Sequence, residues 1–202
     1  QFNVSGHTEY LKRKFNGDNI IMLMCTEELK VGVVTGHIPL KRVSDSINAE
    51  LIVQRLKVFS DSLRNDFGIP NPVIAVLGLN PHAGDSGLLG SEEEEIIIPA
   101  IAEANKEGIQ AQGPFSADGL FGSNSLKLYD GILAMYHDQG LVPFKALAFD
   151  SGVNFTAGLS VVRTSPDHGV AYDIAGKNLA SEESFVNALC MACNIHRARS
   201  AD

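Results

Sequence analysis

Three histidines in this chain each follow a short apolar run. The runs and their histidines are 31–35 with His37, 73–79 with His82, and 131–135 with His137. Such runs are typical of buried strands, and open α/β sheets bind ligands at the carboxyl ends of their strands. Imidazole suits zinc and other late first-row divalent ions, and a catalytic zinc site has three protein ligands plus an open position. We therefore expect these histidines either to bind a metal ion or to cap their turns by hydrogen bonding.

The spacing of the histidines excludes a local zinc motif. They are 45 and 55 residues apart, so a shared site must be assembled by folding or across subunits. Asp138 directly follows His137, and Asp118 lies in a glycine-rich segment. Either carboxylate fits three roles, which are orienting a metal ligand, accepting a proton, or capping a helix.

A second set of candidate residues is basic or carries an amide. Lys145, Asn154 and Arg163 follow one another at intervals of nine residues, and Arg163 ends a predicted strand. A buried arginine needs an anionic partner, because an unpaired buried charge is very costly. The partner is either a structural aspartate or the phosphate or carboxylate of a ligand.

Composition narrows the class of partner. The 202 residues carry a formal net charge of −8, which argues against nucleic acid or an anionic membrane as the main partner. The chain has no apolar run long enough to cross a membrane and no visible signal peptide. It has only three cysteines, Cys25, Cys190 and Cys193, which fits a reducing cytoplasm.

Periodicity predicts alternating strands and helices, and therefore an α/β fold. The predicted strands are 20–24, 31–35, 73–79, 131–135, 153–156 and 159–163. The predicted helices are 6–17, 44–67, 91–107 and 181–198, with an irregular loop at 113–124 and a short helical or irregular crossover at 142–147. The glycine-rich loop 84–90 precedes a helix and could present N–H groups to an anion. The chain has no G-x-G-x-x-G, so a Rossmann reading is weak.

Four motifs in chain order resemble the 4-hydroxythreonine-4-phosphate dehydrogenase family of vitamin B6 biosynthesis. They are GHTE at 6–9, LNPHAG at 79–84, AMYHDQG at 134–140 and RTSPDHG at 163–169. The resemblance covers nearly the whole chain and the second half to two-thirds of the usual family length. It implies an isocitrate/isopropylmalate dehydrogenase-like sheet with flanking helices, lacking the N-terminal part of the family fold. Residues 1–180 would then form the metal- and substrate-binding and dimerisation domain, and residues 181–202 a helix returning to the missing first domain.

The resemblance also implies a role for each candidate residue. The implied metal ligands are His37, His82 and His137, the last supplied by the other subunit of a homodimer. The implied contacts to the phosphorylated substrate are His7, Thr8, Lys145, Asn154 and Arg163. Asp118 and Asp138 match acidic positions near the substrate, and the general base is left open among these two and a lysine, for which Lys145 is the candidate. NAD is implied to contact His168 and Gly169, with Asp173 in the same segment.

The implied reaction is an NAD-dependent oxidation that also needs a divalent metal, with zinc expected and magnesium, manganese or cobalt as alternatives. It converts 4-phosphooxy-L-threonine to its 3-oxo acid, which loses CO2 to give 3-amino-2-oxopropyl phosphate. Two alternatives stay open at this point. One is a paralogue acting on another phosphorylated hydroxy acid such as threonate 4-phosphate, and the other is a dimerising fragment that is catalytically incomplete.

Overall fold

The computed structural model describes residues 7–15, 17, 19–148, 151–167 and 172–200. Its strands are β1 (Ile21–Cys25), β2 (Lys30–Thr35), β3 (Val73–Leu77), β4 (Gln110–Phe115), β5 (Gly131–Tyr136), β6 (Val153–Ala157) and β7 (Thr164–Pro166). Its helices are α1 (His7–Lys14), α2 (Val43–Ser46), α3 (Ala49–Asn65), α4 (Ile98–Lys106), α5 (Ala117–Phe121), α6 (His137–Ala148) and α7 (Glu183–Arg199). A π-helical turn, Glu93–Ile97, leads into α4, and 3-10 turns cover Leu40–Arg42, Pro81–Gly84 and Asn124–Leu128.

The seven strands form one mixed sheet in the spatial order β4-β3-β5-β2-β1-β6-β7. The first four strands in this order run parallel to one another. By contrast, β1 is antiparallel to both of its neighbours, β2 and β6, and β7 is antiparallel to β6. The predicted α/β class is therefore confirmed in the form of a mixed sheet with flanking helices.

The central strands are covered on both faces. Every residue of β2 is buried, and so is every residue of β5 except Tyr136, as expected for parallel strands between two helical layers. One core cluster joins the sheet to α3 and α4, and a second joins it to α6 and α5. Among the described residues, no helix has both the length and the hydrophobicity needed to cross a bilayer.

Helix α3 packs closely on the sheet because two strand glycines leave room for its phenylalanine. Phe59 is fully buried, and a Cβ added to Gly131 would lie 2.5 Å from its Cζ atom. A Cβ on Gly32 would lie 3.4 Å from Cδ1 of the same ring. The ring of Phe59 therefore fills the space that a side chain at position 131 would need, whereas at position 32 Ile21 and Leu23 lie closer, with atoms 2.9 and 3.0 Å from an added Cβ.

The predicted helix 44–67 is wrong at its start. Residues 43–46 form the short α2, the chain is extended at Ile47, and α3 begins after Asn48. The side chain of Asn48 accepts a hydrogen bond from the N–H of Leu51 at 2.9 Å, which makes Asn48 the N-cap. The end is as predicted, because Gly68 adopts a left-handed φ of 68° just beyond the helix.

Two other predicted segments, 113–124 and 159–163, differ from the structure, and for 142–147 the helical alternative is confirmed as part of a longer helix. The predicted loop 113–124 contains the end of strand β4 and helix α5, and the predicted crossover 142–147 lies inside the continuous helix α6. The predicted strand 159–163 is irregular, and apart from the hydrogen bond from the N–H of Thr156 to the backbone oxygen of Arg163 at 3.1 Å, pairing with β6 begins at Thr164. Its apolar residues are explained by packing, since Leu159 is buried and Val162 packs against the core.

Candidate active site

The three strands that precede the histidines are neighbours in the sheet. β3, β5 and β2 are adjacent and parallel, so their carboxyl ends meet at one edge. His37 follows β2 by two residues, His82 lies in the turn after β3, and His137 is the first residue of α6, directly after β5. The sheet thus brings all three histidines to the edge that the sequence predicted.

The imidazoles of His37 and His137 lie side by side. Their ring centroids are 5.6 Å apart and the rings are tilted by 44°. His37 is exposed and His137 is half-buried, so both rings are accessible. Two imidazoles on one tetrahedral ion, with nitrogen–metal distances of about 2.0–2.1 Å, place their centroids about 5 Å apart. The separation and the donor type of this pair therefore fit a zinc-like divalent ion.

Within the described residues, no three His, Cys, Asp or Glu side chains are arranged to hold a metal ion. The adjacent imidazoles of His37 and His137 are two candidate ligands from one chain, and among the described residues His82 is not grouped with them as a third. A three-histidine site stays a prediction that needs a further ligand, such as one from another subunit.

Asp138 lies beside the ring of His137. Its Oδ1 is 2.7 Å from Nδ1 of His137, within hydrogen-bond distance. A carboxylate at Nδ1 favours a proton on that nitrogen and leaves the lone pair on Nε2. Nε2 is therefore the nitrogen of His137 that is suited to bind a metal ion. Of the three roles left open for Asp138, this contact supports orienting a ligand.

Asp118 lies next to the His82 turn, because α5 packs against the turn 81–84. The Ser116 hydroxyl donates a hydrogen bond to the Asp118 carboxylate and is the main reason why the pKa of Asp118 is lowered. The backbone N–H of Gly119 and the charge of His82 lower the pKa further. Asp118 is fully exposed, and the N-cap of α5 is Ser116 rather than Asp118.

Arg163 and Asn154 are brought together as a pair. The Nη1 of Arg163 donates to Oδ1 of Asn154 at 3.2 Å and to the hydroxyl of Thr156 at 3.4 Å. Burial lowers the pKa of the Arg163 guanidinium. In the described part of the chain no carboxylate forms a salt bridge with it, so the structural aspartate that we considered as its partner is absent there.

Lys145 is already paired in the structure. Its Nζ lies 3.1 Å from Oδ1 of Asp167 and 3.1 Å from the backbone oxygen of the same residue. The Lys145 side chain is nearly half exposed, whereas the Asp167 side chain is 16% exposed. An anionic ligand that binds Lys145 must therefore compete with the carboxylate of Asp167.

The basic residues do not meet the imidazoles within one chain. Asn154 pairs with Met24, which in turn pairs with Val31 at the start of β2. His37 follows the other end of β2. At about 3.3 Å per residue this offset exceeds 15 Å along the strand direction. Asn154, and the guanidinium of Arg163 that donates to it, therefore lie far from His37 along the strand direction.

Some of the candidate residues lie outside what the structure describes. His7 and Thr8 form the first turn of α1, but their side chains are not among those described. His168 and Gly169 lie outside the described residues. Asp173 is described and lies exposed in a turn. The predicted contacts of these residues with substrate and NAD stay predictions.

The sequence did not reveal several residues that shape this edge. Gln139 accepts a hydrogen bond from the N–H of Met135 at 2.7 Å and donates to the backbone oxygen of Gly78 at 2.6 Å, so it links the ends of β5 and β3. Glu92 and Glu93 hold Asn80 in the His82 turn. The only sequence signal for these two is the run of four glutamates at 92–95, whose negative charge favours the N-terminus of a helix.

Comparison with known proteins decides the family. The sequence model of the family described as pyridoxal phosphate biosynthetic protein PdxA matches residues 1–192 of this chain. The chain belongs to the PdxA family. Its membership confirms the resemblance read from the four motifs.

Individual members of the PdxA family are similar to this chain over nearly its whole length. The chain is 54% identical over 203 residues to the 4-hydroxythreonine-4-phosphate dehydrogenase of Bacteroides thetaiotaomicron, covering 100% of this chain and 56% of the relative. It superposes on the crystal structure of 4-hydroxythreonine-4-phosphate dehydrogenase from Klebsiella pneumoniae with a TM-score of 0.85 and 41% identity, over 96% of this chain and 59% of that one.

A more distant structure shares the fold. The terephthalate 1,2-cis-dihydrodiol dehydrogenase from Burkholderia xenovorans matches with a TM-score of 0.76 and 26% identity, over 94% of this chain and 61% of that one. The PdxA chain described above therefore spans less than two-thirds of the length of all three proteins.

Proposed function

We propose that this chain is the metal- and substrate-binding part of an NAD-dependent 4-hydroxythreonine-4-phosphate dehydrogenase. The enzyme oxidises 4-phosphooxy-L-threonine to the 3-oxo acid, which decarboxylates to 3-amino-2-oxopropyl phosphate in pyridoxal 5'-phosphate biosynthesis. The observation that carries the proposal is the pair of imidazoles, His37 and His137, 5.6 Å apart at the ends of two neighbouring strands in a PdxA chain.

A divalent ion held by His37, His82 and His137, once a dimer brings the three together, would act as a Lewis acid on the substrate hydroxyl, and NAD would accept the hydride. The protein's own contribution begins with Asp138, which keeps Nε2 of His137 free for the ion. Asp118 is ionised at neutral pH, as an exposed aspartate ordinarily is, and the lowering of its pKa favours the charged form further, so it adds negative charge near His82. Asp118, Asp138 and Lys145 are the candidates for the general base.

The anionic end of the substrate is assigned to Lys145, Asn154 and Arg163. Arg163 supports this assignment because it is a half-buried cation whose described partners, Asn154 and Thr156, are neutral. A planar guanidinium binds phosphate through two parallel hydrogen bonds, which fixes orientation as well as charge. His7 and Thr8 complete the proposed substrate contacts, and the segment with His168, Gly169 and Asp173 is proposed to contact NAD.

We further propose a homodimer with a shared active site. What supports it is the distance between the two groups in one chain, since a site that uses both must draw on two chains or on further protein. In this proposal residues 1–180 form the metal- and substrate-binding and dimerisation domain, and the helix in 181–202 packs on a first domain in an isocitrate/isopropylmalate dehydrogenase-like arrangement. Exposed apolar residues on α7, among them Phe185 and Leu189, fit such a contact. The enzyme is placed in the cytoplasm.

A second candidate is oxidation of another phosphorylated hydroxy acid, such as threonate 4-phosphate. The likeness to a dehydrogenase of a cyclic diol at 26% identity favours keeping this candidate, because the same fold accommodates a different substrate there. A third candidate is a dimerising fragment without turnover, and the separation between His37 and Asn154 within one chain favours keeping it, because one chain then does not bring both groups together.

One experiment separates the three. NADH formation is measured with the 202-residue chain and with a longer chain that includes a relative's N-terminal segment, each given Zn2+ or Co2+ and either 4-phosphooxy-L-threonine or threonate 4-phosphate. The leading proposal expects highest kcat/KM for 4-phosphooxy-L-threonine in at least one chain. Preference for threonate 4-phosphate selects the second candidate. Activity confined to the longer chain selects the fragment.

A further inference from the structure

The turn that carries His82 has an unusual backbone. His82, Ala83, Asp85 and Ser86 all have φ between 45° and 54°, in the left-handed region. Gly84 and Gly87, which lie within the same run, are left-handed as well. A side chain with a Cβ disfavours this conformation, so the turn is strained at its four non-glycine residues. Backbone hydrogen bonds inside the turn, such as the one from the N–H of Gly87 to the oxygen of Gly84 at 3.0 Å, offset part of this strain, and contacts from outside the turn add to them.

Glu93 supplies one of these contacts. Its Oε1 accepts the backbone N–H of Asn80 at 2.7 Å, and its Oε2 accepts Nδ2 of the same residue at 2.9 Å. Glu93 is only 2% exposed, and in the described part of the chain no cation forms a salt bridge with it. Two glycines make this approach possible, since a Cβ on Gly84 would lie 2.6 Å and one on Gly78 3.0 Å from its carboxylate oxygens.

Glu92 extends the same network to the second histidine loop. Its Oε2 accepts Nδ2 of Asn80 at 2.8 Å, and its Oε1 accepts the hydroxyl of Ser44 at 2.8 Å. Ser44 lies in α2, seven residues after His37. The π-helical turn at 93–97 begins here, and such turns are frequent at functional sites because they redirect side chains. Adjacent glutamates therefore both bond to one asparagine.

We propose that Glu92 and Glu93 are positioning residues for the imidazoles of the metal site. Glu93 fixes the turn that carries His82, and Glu92 links that turn through Ser44 to the segment that follows His37. Both act through Asn80 and neither is assigned a contact with metal or substrate. The inference rests on the proposed function, because holding these two turns in place positions metal ligands only if the histidines bind a metal ion.

The test compares two chemically identical substitutions in the 202-residue chain. In Glu93→Gln the amide keeps one acceptor oxygen, but its NH2 group then faces a donor of Asn80, so at least one hydrogen bond is lost. Glu95→Gln is the matched control, because Glu95 is exposed on the same turn. Amide hydrogen exchange is measured over 80–89 and over β5, and Co2+ affinity is measured by calorimetry.

We expect Glu93→Gln to speed exchange over 80–89 about tenfold while β5 stays protected, and to weaken Co2+ binding about 10- to 100-fold, the usual effect of losing an outer-sphere partner. Glu95→Gln should match the parent chain in both. Unchanged exchange over 80–89 in Glu93→Gln would overturn the inference, and so would equally faster exchange in β5, because the role would then be general stability.

A second variant covers the case in which Glu93→Gln does not fold. Glu92 is half-buried, so Glu92→Gln should fold, and we expect it to speed exchange in both 80–89 and 36–46. Protection in both segments equal to that of the parent would overturn the bridging role. If the parent chain binds no Co2+, the proposed metal site fails, while the exchange measurements still decide whether the two glutamates hold the turn.

Discussion

The guanidinium of Arg199 binds the carboxylate of Asp66, with Nε 2.6 Å from Oδ1. This pair joins the last turn of α7 to the end of α3, although the two residues are 133 positions apart in the sequence. The other carboxylate oxygen of Asp66 accepts the hydroxyl of Ser62 at 2.7 Å, and Nη1 of Arg199 donates to the backbone oxygen of Leu159 at 3.0 Å. The Asp66 side chain is only 4% exposed, so this ion pair takes the place of contacts with water.

Arg199→Ala should therefore destabilise the fold by about 3 kcal/mol, because it leaves a buried carboxylate without its cation. The free energy of unfolding in urea measures the loss. Arg197→Ala on the same helix is the control, since Arg197 is exposed, and it should change stability by less than about 0.5 kcal/mol. Equal stability of the two variants would show that the pair contributes nothing net.

Gly131→Ala should destabilise the chain by about 1–3 kcal/mol, since overpacking a filled core has this cost. The new Cβ would lie 2.5 Å from Cζ of Phe59, a ring that is itself fully enclosed. Thermal unfolding gives the measurement. Gly36→Ala is the matched control, because nothing lies within 4 Å of a Cβ at that position. A melting temperature for Gly131→Ala as high as that of the control would contradict the packing argument.

Ser116→Ala should raise the pKa of Asp118 toward its ordinary value, because the hydrogen bond that lowers it most is removed. Because the pKa of Asp118 is lower in the folded state than in the unfolded state, its ionisation stabilises the fold at a pH above the unfolded pKa. This contribution is lost as the pH falls through the folded-state pKa. In Ser116→Ala the contribution is smaller, so stability should fall less on acidification. The carboxyl 13C shift of Asp118 followed against pH measures the change. Ser116→Thr keeps a hydroxyl and should keep the lowered pKa, and identical titrations for Ala and Thr would refute the cause.

His137→Ala should abolish specific Co2+ binding and metal-dependent NADH formation while the chain stays folded, because one of two adjacent imidazoles is lost. Calorimetry and far-UV circular dichroism measure the two effects. His196→Ala, at an exposed position on α7, is the control and should bind like the parent. Parent-like affinity in His137→Ala would remove this residue from the metal site.

Arg163→Ala should raise the KM for the phosphorylated substrate by at least tenfold with a smaller change in kcat, because the residue is assigned to binding rather than to the chemical step. Steady-state kinetics in the active form of the enzyme measure the split, with Arg197→Ala as the charge-matched control. An unchanged KM would show that the phosphate lies elsewhere and that Arg163 only ties Asn154 to Thr156.

The sequence correctly predicted that the three histidines lie at the carboxyl ends of strands. It could do so because β2, β3 and β5 are continuous apolar runs, which a sequence pattern detects. Strand β4 escaped detection because it pairs only with β3 at the edge of the sheet, and its exposed Gln110 and Gln112 and its Pro114 do not form an apolar run. The apolar residues of 159–163 predicted a strand that tertiary packing replaced with a loop.

The missed site residues have a different cause. Glu92 and Glu93 belong to a run of four glutamates, and a sequence does not tell which of them a π-helical turn directs toward Asn80. The sequence also could not predict that Arg163 bonds to the neutral side chains of Asn154 and Thr156. These contacts depend on the pairing of β6 with the segment that leads into β7. Composition and spacing therefore do not predict contacts between side chains that only the folded chain brings together.

The reversed direction of β1 has a consequence for how such chains tolerate change. Among the described strands, β1 is the one hydrogen-bonded connection between the parallel half that bears the imidazoles and the half that bears Asn154. A slip of β1 by two residues against β6 would keep every side chain on its original face and yet move the two halves by about 7 Å. The register of this five-residue strand therefore sets the distance between the imidazoles and Asn154. Small insertions beside the strand would change that distance without replacing any of these residues.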